Sequence, residues 1–375
     1  MGLPRSKYVQ EGEEGVYHCF SRCVRRAYLY GHDALTGRDF SHRKKWIVDR
    51  LKYLAAVFAI EVCAYAVMEN HYHSILRTRP DIVAIWSDYE VATRWLTLFP
   101  KQRGPGGAAM PPAEEDINAL MQDPERIAEL RKRLCSLSWF MGRLNEFIAR
   151  AANKEDKVKG RFWESRFKCQ ALLDEAAIAA CMVYVDLNPI RAGLASTPEE
   201  SDFTSIQERI RAWQKDTMAT TSAEAKPAQD AQHKSLPANI VGIPKLAFEG
   251  TSALSSFLDS ESYSTSWLCP ISSDARRRGI LRMTALEYFE LVDESGRMTR
   301  SDKRGAVDAD MMPILIRIGA NPEAWLETVS RFGSGFRLAA GRLPNLRNFA
   351  CHLGRRWLKG ISTARVFFAS SEQLS

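Results

Sequence analysis

The chain has 375 residues, of which 45% are hydrophobic and 26% charged, and its formal net charge is +7. Such a composition excludes fibrous and wholly disordered proteins, and the length favours two domains over one. The positive excess suits a polyanionic partner without demanding one.

The opening residues, MGLPRSKYVQEGEEG, lack the apolar core of an export signal, so a cytoplasmic location is expected. Val16 to Val24 has strand composition, with His18, Phe20 and Arg22 on one face and Tyr17, Cys19 and Ser21 on the other. Ser41 is placed to cap a helix whose apolar stripe is Ile47, Leu51, Leu54 and Phe58. The basic residues of that helix, Arg43, Lys44, Lys45, Arg50 and Lys52, read equally as a solvated face and as a phosphate-contacting one.

Val62 to Met68 is apolar on both faces, as a strand inside a covered sheet should be. Glu69-Asn70 is a two-residue break of the kind that turns one antiparallel strand into the next. On the second strand His71 and His73 leave the same face while Tyr72 points away. Two imidazoles so placed either serve packing or hold a divalent metal, the latter only if a third ligand arrives from elsewhere.

From Pro80 to Pro112 the pattern predicts a helix rich in Trp and Leu and then a Gly/Pro loop, an insertion over the sheet that extends to about residue 124. Leu137, Phe140, Met141, Leu144, Phe147, Ile148 and Ala151 form the wide stripe of a packed helix. Phe162 to Leu172 alternates as a strand, with Glu164, Arg166, Lys168 and Gln170 on one face. Asp174 is a good N-cap for EAAIAACMVYVDLNP, where Ala177, Cys181, Tyr184 and Asn188 lie along one line. Pro189 should end that helix near Asn188.

Gln214 to Ala238 has almost nothing to bury and reads as a flexible linker between residues 1–213 and a mainly helical region, 239–375. Beyond it, Asn321-Pro322 predicts a helix start leading into Trp325, Val329 and Phe332, and a last helix should align Leu346, Ala350, Leu353 and Trp357. No apolar run approaches the roughly 20 residues of a bilayer span, so no membrane partner is expected. The 8 cysteines include no CxxC pair, which excludes zinc-finger spacing and leaves them as core thiols.

Taken in order, VYHCFSRCVRRAYLYG, AVMENHYHSIL, LNEFIARAANK, KGRFWESRFKCQALL and YVDLNPIRAGLA resemble the REP-associated tyrosine transposases, a branch of the single-tyrosine HUH transposases. The resemblance covers about residues 14 to 210 and implies an α+β fold, an HUH-type antiparallel sheet with packed helices. It implies Tyr184 as nucleophile, and His71, His73 and Asn188 as ligands of Mg²⁺ or Mn²⁺. Glu69 departs from the proline that many relatives carry before the turn asparagine.

The implied activity is that of a metal-dependent DNA transesterase that nicks and rejoins single strands at hairpin-forming palindromes through a 5′-phosphotyrosine. The alternative is a domesticated hairpin-binding protein without turnover. Relatives point to either a monomer or a dimer. Cations that could hold strand phosphates are Arg22, Lys44, Lys45, Arg166, Lys168, Arg276, Arg277, Arg278, Arg355 and Arg356, with Trp163 as a stacking platform; solvated surface and packing are the competing readings.

Overall fold

A computed structural model of the chain describes residues 3–24, 31, 37–105, 109–224, 267–273, 277–298, 312–318 and 320–368. The expected hairpin forms beside β1: β1 (Val16–Arg22) pairs with β3 (His71–Thr78), which in turn pairs with its hairpin partner β2 (Ile60–Val67), all antiparallel. Its turn is closed by Met68 N–H donating to the His71 carbonyl at 2.8 Å. β4 (Lys168–Leu172) runs antiparallel to β1 on its other side. A short β5 (Ala339–Ala340) then adds to β4 in parallel, giving the order β2-β3-β1-β4-β5. The fold is α+β, and its antiparallel sheet gains one parallel edge strand from the C-terminal region.

Strand alternation gives the sheet two different faces. Tyr72 and Ser74 of β3 and Ser21 of β1 turn toward α6 (Leu137–Glu155), which packs beside α1 (Arg43–Val57). The stripe expected for α1 is realised: Ile47, Leu51 and Leu54 are fully buried, each worth about 1.5–3 kcal/mol of apolar transfer. Arg43, read from sequence as part of a basic face, is instead buried, and its Nε donates to Glu155 at 2.6 Å. The insertion folds as α2 (Pro80–Ile85), α3 (Asp88–Leu98), α4 (Glu114–Met121) and α5 (Pro124–Leu134), packed mainly on one another. A Ser87–Glu90 capping box starts α3.

The opposite face receives α7 (Glu175–Asp186), followed by α8 (Asn188–Arg191) and α9 (Ser205–Glu224). Asp174 caps α7 as its sequence predicts, accepting from Ala177 N at 3.0 Å. Helix α9 runs through residues 214–224 of the segment read as a linker; the remainder of that segment lies outside the described residues.

The C-terminal region adds α10 (Ala285–Met298), α11 (Met312–Arg317), α12 (Trp325–Gly335), α13 (Leu343–His352) and α14 (Ile361–Phe367). Its described residues share one apolar cluster with the sheet, where the sequence had favoured a second core. Both α10 and α12 pack on α7, and buried Arg77 of β3 donates to the carbonyls of Arg278 and Gly279.

Three local expectations are corrected. Residues 162–167 are not strand, because only an isolated bridge, Cys23 with Trp163, precedes β4. Helix α12 starts at Trp325 and not at Pro322, since Asn321 Oδ1 accepts from Glu323 N in a turn ahead of it. Trp357 lies beyond the end of α13 and is 62% exposed, so it is no part of that helix's stripe.

Asp186 knits these layers together. Its Oδ1 accepts from Ser205 Oγ at 2.6 Å and from Ile206 N at 3.1 Å, and its Oδ2 accepts from Tyr288 Oη at 2.6 Å. Burial pushes its carboxyl from 3.8 up to about 6 despite those donors. A group raised in this way contributes fully below its unfolded pKa, and the contribution is lost as pH rises through the folded one. In denaturant titrations from about pH 4 to pH 7, the stability difference between the wild type and Asp186→Asn should therefore move against the wild type as pH rises, by up to roughly 3 kcal/mol. A pH-independent difference would contradict the buried, raised carboxyl.

Candidate active site

Tyr72 sets the site from the far side of the sheet. It is fully buried, its hydroxyl donates to Asn145 Oδ1 of α6 at 2.7 Å, and Asn145 Nδ2 donates to Ser21 Oγ at 3.0 Å. With Tyr72 fixed there, the pleat turns His71 and His73 toward α7. Their ring centroids lie 4.9 Å apart. The Tyr184 ring reaches the same place from α7, 5.8 Å from His73 and 6.2 Å from His18.

Hydrogen bonds hold both rings of β3 in place. His71 Nδ1 lies 2.7 Å from Asn70 Oδ1, an acceptor only, so Nδ1 bears the proton and Nε2 the lone pair. His73 Nδ1 meets His18 Nε2 at 2.8 Å. His18 faces Gln170, its cross-strand partner on β4, and in the contact with His73 one ring donates and the other accepts, according to tautomer. Burial depresses all three rings: His18 and His71 each fall from 6.5 to about 4, and His73 falls well below its usual range. Burial thus favours the neutral form of both histidines of β3, and the bond to Asn70 leaves the His71 lone pair on Nε2.

Asn188 is placed less decisively. It begins α8, and its Nδ2 donates to the Tyr184 carbonyl at 3.0 Å, closing the end of α7. Among the described residues no group of three His, Cys, Asp or Glu side chains comes together to hold a metal. Neutral imidazoles and amide oxygens are ligands that suit a divalent cation which keeps water or phosphate oxygens for its remaining positions.

The phenol of Tyr184 is raised above its ordinary value of 10.0 by burial, while the Arg191 charge and the Asn188 side chain act in the opposite direction. Arg191 holds its guanidinium carbon 5.1 Å from the Tyr184 ring centroid, and it also donates to the Ser330 carbonyl of α12. It escaped the sequence reading, although it follows the Asn-Pro pair by only two residues. Phe332 of α12 lies 6.0 Å from the Tyr184 ring, centroid to centroid. No sequence signal linked it, or its neighbour Gly333, to the tyrosine.

The predicted strand contacts separate into groups. Arg22 pairs across from His71 and is 3.9 Å from Glu164, and Lys168 lies 5.4 Å from the Phe20 ring, so both edge the histidine face. Arg166 is exposed nearby in sequence. Lys45 pairs with Asp49 at 3.2 Å, and Lys44 lies 5.7 Å from the Phe203 ring. Trp163 is buried, its indole N–H donating to the Asn145 carbonyl at 2.9 Å on the Tyr72 side, which removes it as a stacking platform. Arg277 donates to the Leu268 carbonyl within the C-terminal region and lies 4.0 Å from Glu61 of β2, and Arg278 pairs with Glu14, so both tie that region down. Arg355 and Arg356 are exposed beyond α13, and Arg276 lies outside the described residues.

No family model matches the chain, and no curated protein matches it. Among solved structures it is similar to a REP-associated tyrosine transposase bound to a REP hairpin. The identity is 12%, covering 64% of this chain and 100% of that one, with a TM-score of 0.33. A likeness this loose leaves the site to be judged on its own geometry.

The cover over the tyrosine can be measured. A Cβ built on Gly333 falls 2.5 Å from the Tyr184 hydroxyl oxygen and 3.0 Å from Cζ. Gly333→Ala should cost about 1–3 kcal/mol by overpacking, and about 1 kcal/mol less in a Tyr184→Phe background, which removes the nearer atom. The gain in helix propensity is common to both backgrounds and cancels in the cycle. Equal costs in the two backgrounds, read from denaturant midpoints, would mean that α12 does not rest on the hydroxyl.

Proposed function

We propose that the protein is a DNA transesterase acting on single strands, with Tyr184 as nucleophile and His71, His73 and Asn188 as the ligands of Mg²⁺ or Mn²⁺. The observation that carries this is the pair of imidazoles on one face of β3, 4.9 Å apart between ring centroids, with the His73 ring 5.8 Å from that of a tyrosine more than a hundred residues away. The HUH-like order of motifs in the sequence points the same way. When bound, a divalent cation supplies Lewis acidity to a non-bridging phosphate oxygen and stabilises the departing 3′-oxygen.

The chain's own groups account for the rest. Asn70 and His18 each hydrogen-bond one of the two ligand rings and so orient them. Arg191 lowers the cost of ionising Tyr184, and with Arg22 and Lys168 it offers positive charge to the strand. In the chemical step the Tyr184 Oη–phosphorus bond forms as the phosphorus–O3′ bond breaks. The phenol gives up its proton and the 3′-oxygen takes one, leaving a 5′-phosphotyrosine and a free 3′-hydroxyl. The phosphodiester energy is conserved, so attack by another 3′-hydroxyl rejoins strands and restores the tyrosine without ATP. Hairpin-forming palindromes are the proposed substrate.

One observation favours a second reading, hairpin binding without turnover: α12 presses Gly333 against the Tyr184 hydroxyl. Turnover requires that contact to open. Incubation with a hairpin-bearing single strand and Mn²⁺, followed by a denaturing gel, separates the readings. Turnover predicts a covalent adduct that is lost in Tyr184→Phe and, at limiting Mn²⁺, falls at least about tenfold in His73→Ala. Tight, metal-independent binding with all DNA recovered intact supports the second reading, and cleavage that persists in Tyr184→Phe overturns the tyrosine assignment.

A further inference from the structure

Across the sheet from Tyr184, helices α1 and α6, the end of α3 and the segment after it enclose a cleft of about 500 Å³. Among the described residues its lining brings together Arg50, Lys101, Arg103, Arg143, Arg150 and Lys154 with a single carboxylate, Glu146. That carboxylate is already shared between Arg143 and Arg150. Lys101 is paired outward with Asp116 at 2.9 Å. The surplus positive charge is therefore a property of the cleft itself.

The floor is built and not merely decorated. Arg50 is buried, its guanidinium carbon 4.6 Å from the Tyr53 ring centroid and 4.9 Å from that of Phe147. Burial lowers the Arg50 pKa to about 10 with the Arg143 charge acting in the same direction, and both side chains line the cleft. Arg143 has its Nε buried without a hydrogen-bond partner, and its guanidinium lies 5.4 Å from the Phe99 ring. At the mouth, Arg150 is 81% exposed and Lys154 is exposed.

Like charges held together in a partly desolvated cleft repel, and an anion seated between them relieves the repulsion. Guanidinium groups recognise phosphate in a planar, bidentate manner. Aromatic edges between the cations suit a base attached to that phosphate. A concavity of this volume takes a ligand of nucleotide size, and a duplex does not enter it.

We propose that this cleft binds a segment of single-stranded nucleic acid through its phosphates, on the side of the sheet opposite Tyr184. It rests on the proposed function only for the kind of ligand, and it does not require the tyrosine chemistry. A strand held at both places would wrap the domain, with the insertion supplying one wall of the second hold.

The test is fluorescence anisotropy with a labelled oligothymidylate of about ten nucleotides, measured across a range of salt. All proteins carry Tyr184→Phe, so adduct formation cannot contribute. The cleft variant Arg150→Glu/Lys154→Glu is compared with Arg347→Glu/Arg365→Glu, an equal charge change at exposed positions outside the cleft. The expected result is an affinity loss of about tenfold or more for the cleft variant and a salt dependence shallower by roughly 0.7 per lost contact, with little change in the other.

Equal affinities and slopes in the two variants overturn the proposal. Thymidine 5′-monophosphate is titrated alongside: if it binds in the cleft while the strand affinity is the same in both variants, the cleft is a small-molecule site and the strand assignment fails. Should the double reversal unfold, Arg150→Ala serves in its place, with a loss in the same direction and a slope change of about one contact.

Discussion

The site depends on one buried side chain that takes no part in it. Tyr72 is locked to Asn145 on the α6 side of the sheet, and a strand's two-residue period leaves its neighbours no choice but the other side. A slip of one residue would send both histidines into the apolar layer under α6 and bring Tyr72 out against α7. Complete burial of Tyr72 and its bond to Asn145 make that slip costly, so the register that places the imidazoles is guarded from behind.

Once turned to that side, the histidines are aligned by a line of polar contacts unusual for a buried sheet. Gln170, His18 and His73 lie on three adjacent strands, and His18 Nε2 meets His73 Nδ1 at 2.8 Å. Burial favours the neutral form of His18, His71 and His73 and so limits the repulsion that protonation would bring. The same low-polarity surroundings raise the Tyr184 phenol, so the nucleophile depends on nearby positive charge, of which Arg191 is the nearest source on its own stretch of chain.

The C-terminal region enters the same construction. Asp174 caps α7 and also accepts from Arg342 N at 2.6 Å and Asn345 Nδ2 at 2.8 Å, so the helix bearing Tyr184 is clasped at its start. Asp186 clasps the other end through Ser205 and Tyr288. Between these two carboxylates, Phe332 and Gly333 lie over the tyrosine. The mainly helical region expected after residue 238 thus bounds the candidate site, and removing it would expose α7 along its length.

The sequence by itself determined the local elements: the hairpin around Glu69-Asn70, the shared face of His71 and His73, and the capped helix after Asp174. Those follow from period and capping, which act over a few residues. Only the tertiary structure decided what meets the histidines, because contacts of His18 with His73 or Phe332 with Tyr184 join residues far apart in the chain and leave no periodic trace. It also decided which charges are available. Arg43 and Arg278 look alike in a string of basic residues, yet each is held by a carboxylate that folding brings from elsewhere, while Arg143 and Arg150 crowd around a single glutamate. Charge in a sequence is a count, and its availability depends on what the fold sets beside it.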